Sequence, residues 1–254
     1  MRISVLTVTY NSAKTLPYTL DSFFAQSHAD KELVIVDGAS TDNTMEIVER
    51  YAAQADNVKF ISEPDRSMYD ALNKGLKLYT GDAMGVLNSD DRYAHNDVLA
   101  KVAEGLTKAP SIHGHLDFVN NHDSRRIVRR WRGRAMPKRG FRYGWMPAHP
   151  TFYVRREIAE RTGLFDTSYQ IAADYDWMIR AINAQGRGPE LIEDIMIHMQ
   201  SGGMSTNGIA AYLKHNWEAS KIRRKNNVSG FMDFALFTKP ARKVGQWLPV
   251  VSLF

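Results

Sequence analysis

Asn88-Ser89-Asp90-Asp91 sets two carboxylates side by side directly behind an apolar run, Ala83 to Leu87. Adjacent carboxylates at the end of a buried strand repel one another, and a cation or hydrogen-bond donors must relieve that repulsion. Hard oxygen ligands are what Mg2+ or Mn2+ selects, and a metal held there would neutralise a diphosphate leaving group. The ordinary alternative is that one Asp starts a turn or caps the helix after Asn96 while the other is solvated. Asp37 follows Leu-Val-Ile-Val at a second strand tip. It is placed either to accept hydrogen bonds from a base or ribose or to stabilise its own turn. Asp42 reads as a helix-start residue, with Ser40 and Thr41 as competing caps. At the turn after Glu63, Asp65 and Arg66 can reach a ligand. Asp70, Asn73 and Lys74 share one helical face by their spacing, although a solvated face with a local ion pair explains Asp70 and Lys74 equally well.

In the second half, Asp174 and Asp176 stand at the entry to an apolar helix. Asp174 complements the helix dipole, and that dipole also keeps a carboxylate ionised, as a general base requires. Tyr175 and Trp177 beside it offer rings on which a sugar could stack. Pro147-Ala148-His149-Pro150 forms a rigid loop in which His149 either orients a bound group or is structural. Between Arg125 and Arg142 lie nine Arg or Lys, and no acid occurs from Ser124 through Arg156. So one-sided a run calls for an anionic partner or compensation from afar. Pyrophosphate or anionic lipid heads fit it better than nucleic acid, because the aromatic interleaving is sparse and no nucleic-acid-binding signature accompanies it.

The elements that must position these residues alternate regularly. Strands are predicted at Ile3 to Val8, Leu33 to Val36, Val58 to Ser62 and Ala83 to Leu87, and helices at Thr15 to Gln26, Asn43 to Gln54 and Ser67 to Tyr79. Repeated β-α-β units imply an α/β fold with a mostly parallel sheet, whose ligands bind outside the carboxyl ends of the strands. Each predicted strand ends there in a polar cluster. Strands are also expected at Leu116 to Val119, Ile127 to Trp131, Thr151 to Val154 and Leu191 to Ile197, with helices at Ala173 to Ala184 and Ile209 to Arg224. Residues 1–226 are read as one domain and residues 227–254 as a basic, aromatic tail suited to a membrane surface. The chain has 254 residues, 44% of them hydrophobic, a net charge of +5 and no cysteine, so a metal must be held by Asp, Glu, His or water. No signal peptide and no span of roughly 20 apolar residues is read, so a cytoplasmic protein, peripheral on the inner face of a membrane, is expected. Phosphate-loop, dinucleotide-binding, nucleophile-elbow and H-E-x-x-H motifs are all missing from the sequence.

The segments VLTVTYN, LVIVDGASTDNT, ISEPDRSMYDALNKG, GVLNSDD, MPAHPTFYVRR and GLFDTSYQIAADYDWMIR, in this order between Ile3 and Arg180, resemble the family 2 glycosyltransferases. The resemblance is to bacterial enzymes that build exopolysaccharide, colanic-acid-like or O-antigen repeats. It implies a GT-A fold and an inverting, metal-dependent hexosyl transfer from a UDP-, GDP- or dTDP-sugar to a hydroxyl of a glycan or lipid-linked glycan. By motif, Thr9 and Asn11 would line the nucleotide pocket, Asp37 would bind the base, and Asp65 would help to hold the nucleotide. Asp90 would belong to the ribose-diphosphate motif, Asp91 would hold Mg2+ or Mn2+, and Asp174 would be the general base. Ala173 departs from the Glu that many relatives carry before the base. Ser201-Gly202-Gly203-Met204-Ser205 is similar to a loop that closes over the donor, with His198 its partner. A sugar-nucleotide pyrophosphorylase should instead show a Gly-rich, Arg-containing loop after its first strand, where this chain has Thr-Tyr-Asn-Ser. A non-catalytic, membrane-recruiting module would have no need of intact acids at Asp37, Asp90, Asp91 and Asp174.

Overall fold

A computed structural model of the chain describes residues 1–123, 126–138, 140–201 and 208–228, and for 208–213 the backbone alone. Its first half runs β1 (Ile3–Thr9), α1 (Leu16–Phe24), β2 (Lys31–Asp37), α2 (Thr44–Ala52), β3 (Val58–Ser62), α3 (Met68–Leu78) and β4 (Ala83–Val86). Next come β5 (Asp91–Tyr93), α4 (Val98–Lys108), β6 (Ser111–Val119), β7 (Ile127–Trp131), β8 (Tyr153–Arg155) and α5 (Arg156–Thr162). The described elements end with α6 (Ala173–Gln185), β9 (Glu190–Gln200) and α7 (Gly208–Lys225). One sheet holds the strands in the order β3-β2-β1-β4-β8-β6-β9-β5, with β7 added on β6.

The first four strands are mutually parallel, as the β-α-β alternation predicts. Both faces of β1 are buried, and its side chains alternate between two core layers. Ile3 and Val5 pack with Leu16, Leu20 and Phe23 of α1, while Leu6 and Val8 pack with Tyr69 and Leu72 of α3 and the apolar residues of α6. Burying a side chain of this size contributes about 2 kcal/mol. Beyond β4 the sheet becomes mixed: β8 runs antiparallel to both β4 and β6, and β9 runs parallel to β6. A methyl group at Gly85 of β4 would overlap the Tyr153 ring, so the glycine lets β8 lie flat against β4. Besides two short 3-10 turns, Gly140–Tyr143 and His149–Thr151, two elements escaped the sequence reading. Strand β5 starts inside the acid cluster itself, and α5 has only seven residues.

Helix starts fix the loops around the sheet's carboxyl edge. Ser67 caps α3 by accepting the Asp70 N–H at 3.2 Å, and Asp70 reaches back to the Arg66 N–H at 3.1 Å. Asp42 acts as the predicted helix-start residue, accepting from the Thr44 N–H at 3.1 Å and the Ala13 N–H at 3.2 Å. Asp70 and Arg66 are thereby consumed by local structure, with Arg66 85% exposed.

Candidate active site

Loops after β1, β2 and β3 lock together into one polar rim. Asn11 adopts φ +49°, a left-handed conformation that Asn tolerates better than most residues. From there its side chain accepts the Thr41 N–H at 2.9 Å, and its own N–H donates to Ser40 Oγ at 2.8 Å. Asp37 is fully buried and accepts from the Ser40 N–H at 2.9 Å, from Ser40 Oγ, and from Ser62 Oγ at 2.7 Å. Its turn-stabilising role is therefore realised, and three of its roughly four lone-pair sites are used. Asp65 pairs with Lys74 at 2.6 Å, and its Oδ2 lies where a Cβ on Gly38 would be 3.4 Å away. Thr9 closes the rim: its carbonyl accepts the Gly38 N–H at 2.9 Å, while its buried hydroxyl finds no protein partner.

The two adjacent acids at the β4 end differ sharply. Asp91, expected to hold the metal, has no solvent access, and neither carboxylate oxygen has a hydrogen-bond partner. Burial, and then the neighbouring Asp90, push its pKa well above the usual carboxylate range. Asp90 is partly exposed. Burial raises its pKa too, opposed by its own backbone and by the nearby imidazoles of His122 and His149. His122 Nε2 lies 2.8 Å from the Asp90 carbonyl oxygen and braces the turn. Of this pair Asp90 is the one with solvent access, while Asp91 lies behind it with both oxygens unpartnered. The buried side-chain oxygen of Asn88 is likewise without a protein partner. Among the described residues no cluster of three or more His, Asp or Glu is preformed for a cation. Mg2+ and Mn2+ sites that rely on one or two carboxylates, with water and phosphate oxygens completing the shell, fit this donor set.

Asp174 lies in the first turn of α6, 22% exposed. Its Oδ2 is 3.6 Å from His149 Nδ1, and its Oδ1 is 3.4 Å from the Tyr69 hydroxyl, which donates at 2.7 Å to the Ile171 carbonyl. The other ring nitrogen of His149 lies 3.4 Å from Asn88 Nδ2. One imidazole thus spans the acid cluster at the end of β4 and the carboxylate on α6. Burial lowers the His149 pKa, with Asp174 and Asp90 pulling the other way. His149 and Asp174 also border an apolar crevice whose walls include Tyr69, Leu72, Phe152 and Trp177.

Other expectations change. Tyr175 and Trp177 are core side chains: both are buried, Tyr175 against Phe141 and Trp177 stacked on Phe165, with its indole N–H 2.8 Å from the Gly163 carbonyl. Asp176 is enclosed, bound to Arg180 at 2.7 Å and to Asn226 at 2.9 Å. Asn73 clamps the backbone of Phe165 through two hydrogen bonds, at 2.8 and 3.0 Å. Part of the basic run is compensated, since Arg132 pairs with buried Asp117 at 2.7 Å and Arg129 lies over the Phe118 ring at 3.5 Å. His198 lies on β9 opposite Arg92, whereas Gly202 to Ser205 fall outside the described residues.

Residues 4–164 match the sequence profile of Glycosyl transferase family 2. The chain belongs to this family. A PGL/p-HBAD biosynthesis glycosyltransferase of Mycobacterium bovis (strain BCG / Pasteur 1173P2) is 33% identical over 187 residues, covering 71% of this chain and 69% of that relative. Among solved structures, TarS 1-349 of S. aureus aligns at a TM-score of 0.70 and 20% identity, over 93% of this chain and 68% of that one. TarS 1-349 in complex with UDP-GlcNAc aligns at 0.68, with 20% identity, over 93% and 69% of the two chains. The mannosyltransferase PcManGT of Pyrobaculum calidifontis, in complex with GDP-Man and Mn2+, aligns at 0.66 and 21% identity, over 93% and 68%. These likenesses establish the GT-A fold. In this family 2 chain, the rim at β1 to β3, the acids after β4 and Asp174 on α6 all lie at one edge of the sheet.

Proposed function

We propose that this chain is an inverting glycosyltransferase that moves a hexose from a nucleoside-diphosphate sugar to a hydroxyl of a bacterial glycan or lipid-linked glycan precursor. The observation that carries the reading is the span from Asn88 through His149 to Asp174, at 3.4 and 3.6 Å, which sets a carboxylate one imidazole away from the acid cluster. The nucleotide would lie on the rim formed by Thr9, Asn11, Asp37 and Asp65. Asp90 is assigned the metal, in place of Asp91, and a bound Mg2+ or Mn2+ would supply positive charge to the departing diphosphate. Asp174 takes the proton of the acceptor hydroxyl as that oxygen bonds to the anomeric carbon and the bond to the diphosphate breaks. A single displacement of this kind inverts the anomeric centre. His149 lies beside the carboxylate, and Tyr69 fixes the Ile171 carbonyl in the backbone that leads to it.

The relatives support this reading: one is a PGL/p-HBAD biosynthesis glycosyltransferase, and the solved structures include complexes with UDP-GlcNAc and with GDP-Man and Mn2+. No helix among the described residues is long and apolar enough to cross a membrane. Peripheral contact with an anionic leaflet stays part of the proposal. Arg223, one of the basic residues just before the tail, is buried near Tyr175, whereas Lys214, Trp217, Lys221 and Arg224 are exposed at helical spacing along α7. The remainder of the tail, 229–254, lies outside the described residues.

Titration with UDP-, GDP- and dTDP-sugars, with and without Mn2+, tests the donor assignment. Asp90→Ala should weaken binding at least tenfold, about 1.4 kcal/mol, and Asp174→Asn should slow turnover about 100-fold with donor affinity nearly unchanged. Undiminished binding in excess chelator would refute the metal, and normal turnover in Asp174→Asn would refute the base.

A further inference from the structure

The entry to α6 lacks a cap of its own. Its N-cap residue is Ala172, whose side chain can accept no hydrogen bond, so the backbone N–H groups leading into the helix need acceptors from elsewhere. Glu218, on α7 and 3% exposed, supplies them across the fold. Its Oε1 accepts the Gln170 N–H at 3.0 Å, and its Oε2 accepts the Ile171 and Ala172 N–H groups at 3.0 and 3.1 Å. A carboxylate at a helix N-terminus is also favoured by the dipole.

Residue 171 is gripped from the other side as well. The Ile171 carbonyl accepts the Tyr69 hydroxyl at 2.7 Å, and the same hydroxyl lies 3.4 Å from Asp174 Oδ1. The backbone immediately before the proposed base is therefore held by Glu218 at its N–H groups and by Tyr69 at its carbonyl. Asp174 follows two residues after the last N–H that Glu218 holds, so rotation of the 171–172 peptides would swing its carboxylate away from His149. Hydrogen bonds to a charged group are worth about twice neutral ones, and a buried carboxylate holding three of them makes the segment rigid.

We propose that Glu218 is a positioning residue for the transfer reaction: α7 fixes the aim of Asp174 through the 170–172 backbone. This rests on Asp174 being the base. Glu218→Gln keeps the shape, but it turns an amide nitrogen or loses an acceptor toward the three N–H groups, leaving at least one unpaired.

The test uses the full chain with Mn2+ and saturating amounts of whichever UDP-, GDP- or dTDP-sugar binds, reading nucleoside diphosphate release alongside donor Kd. Glu218→Gln is expected to slow release about tenfold while leaving the Kd within about twofold, and to speed amide exchange at 170–172. In an Asp174→Asn background the same change should cost nothing more, because both act through one carboxylate. A purely structural role would lower donor-binding stoichiometry and release together, and that outcome overturns the proposal. So does unchanged release, or an additive loss in the double variant. Should Glu218→Gln fail to fold, Tyr69→Phe frees the carbonyl side of the same backbone and must give the same loss at unchanged Kd. Asp174→Asn measured alone separates the two readings. Normal release there removes the base and this inference with it, whereas slow release there with normal release in Glu218→Gln removes only this inference.

Discussion

At the edge of the sheet opposite the polar rim, a buried carboxylate ties four segments together, and removing it should affect stability alone. Glu32 on β2 is fully buried. It accepts Ser4 Oγ at 2.5 Å, the Thr80 N–H and Thr80 Oγ1 at 2.7 Å each, and pairs with Lys59 at 2.8 Å. Burial alone would raise its pKa. The hydrogen bonds from Lys59, Ser4 and Thr80 outweigh it and bring the pKa down from 4.5 to about 2. At 1.36 kcal/mol per unit, that difference corresponds to about 3 kcal/mol favouring the ionised, folded form. Because the folded pKa is depressed, this stability is fully present above the unfolded value, 4.5, and is lost as pH falls through the folded one, about 2. Glu32→Gln should lower the unfolding free energy by about 3 kcal/mol at pH 7, measured by urea denaturation. The gap to the parent should then close as the titration moves from pH 5 toward pH 2. Donor Kd per folded molecule should not move. A loss below about 0.5 kcal/mol at pH 7, or a gap independent of pH, would show that the four donors do not hold the anion as argued.

Two further outcomes test the carboxyl-terminal half. Asp176→Ala strips Arg180 and Asn226 of their shared partner, so urea denaturation should show a loss of about 3 kcal/mol, with donor affinity per folded molecule kept; a loss under about 1 kcal/mol would mean the pair is dispensable. If the tail rests on an anionic leaflet, with each basic residue worth about 1 kcal/mol there, a chain ended after Asn226 should co-sediment with phosphatidylserine vesicles at least tenfold less than the full chain; equal sedimentation would free the tail of that role.

The polar rim of the candidate site was legible because β1 and β2, buried along their length, read as apolar runs, and the polar residues just past each strand end are then rim residues. Thr9, Asn11, Asp37 and Asp65 were found in this way. The distinction between Asp90 and Asp91 was not, because it depends on β5. That strand is three residues long and draws Asp91 inward against β9 in register with Met199, too short a segment to carry a period. The residues that hold the backbone before Asp174 were also hidden. Tyr69 reads as a core residue of an amphipathic helix 105 positions away, and Glu218 as one charge among many on a late helix. Tyr175 and Trp177 misled for a related reason. Aromatic rings beside an acid look like a sugar platform until the fold packs α6 into a core that takes those rings.

An imidazole, and not a permanently charged group, lies between the acids after β4 and Asp174. A cation there would bind Asp174 too firmly for it to take a proton, and an anion would repel both neighbours. A neutral imidazole with its proton on Nδ1 can donate toward Asp174 while its bare Nε2 accepts from the Asn88 amide, so one tautomer suits both sides. Burial favours that neutral form. Pro147 and Pro150 flank the ring, and the short 3-10 turn His149–Thr151 returns the Phe152 N–H to the His149 carbonyl at 3.0 Å, so its backbone has little freedom. The loop between the basic strand β7 and β8 thereby serves as a rigid spacer: it sets the distance between the group that would meet the leaving diphosphate and the group that would take the acceptor's proton.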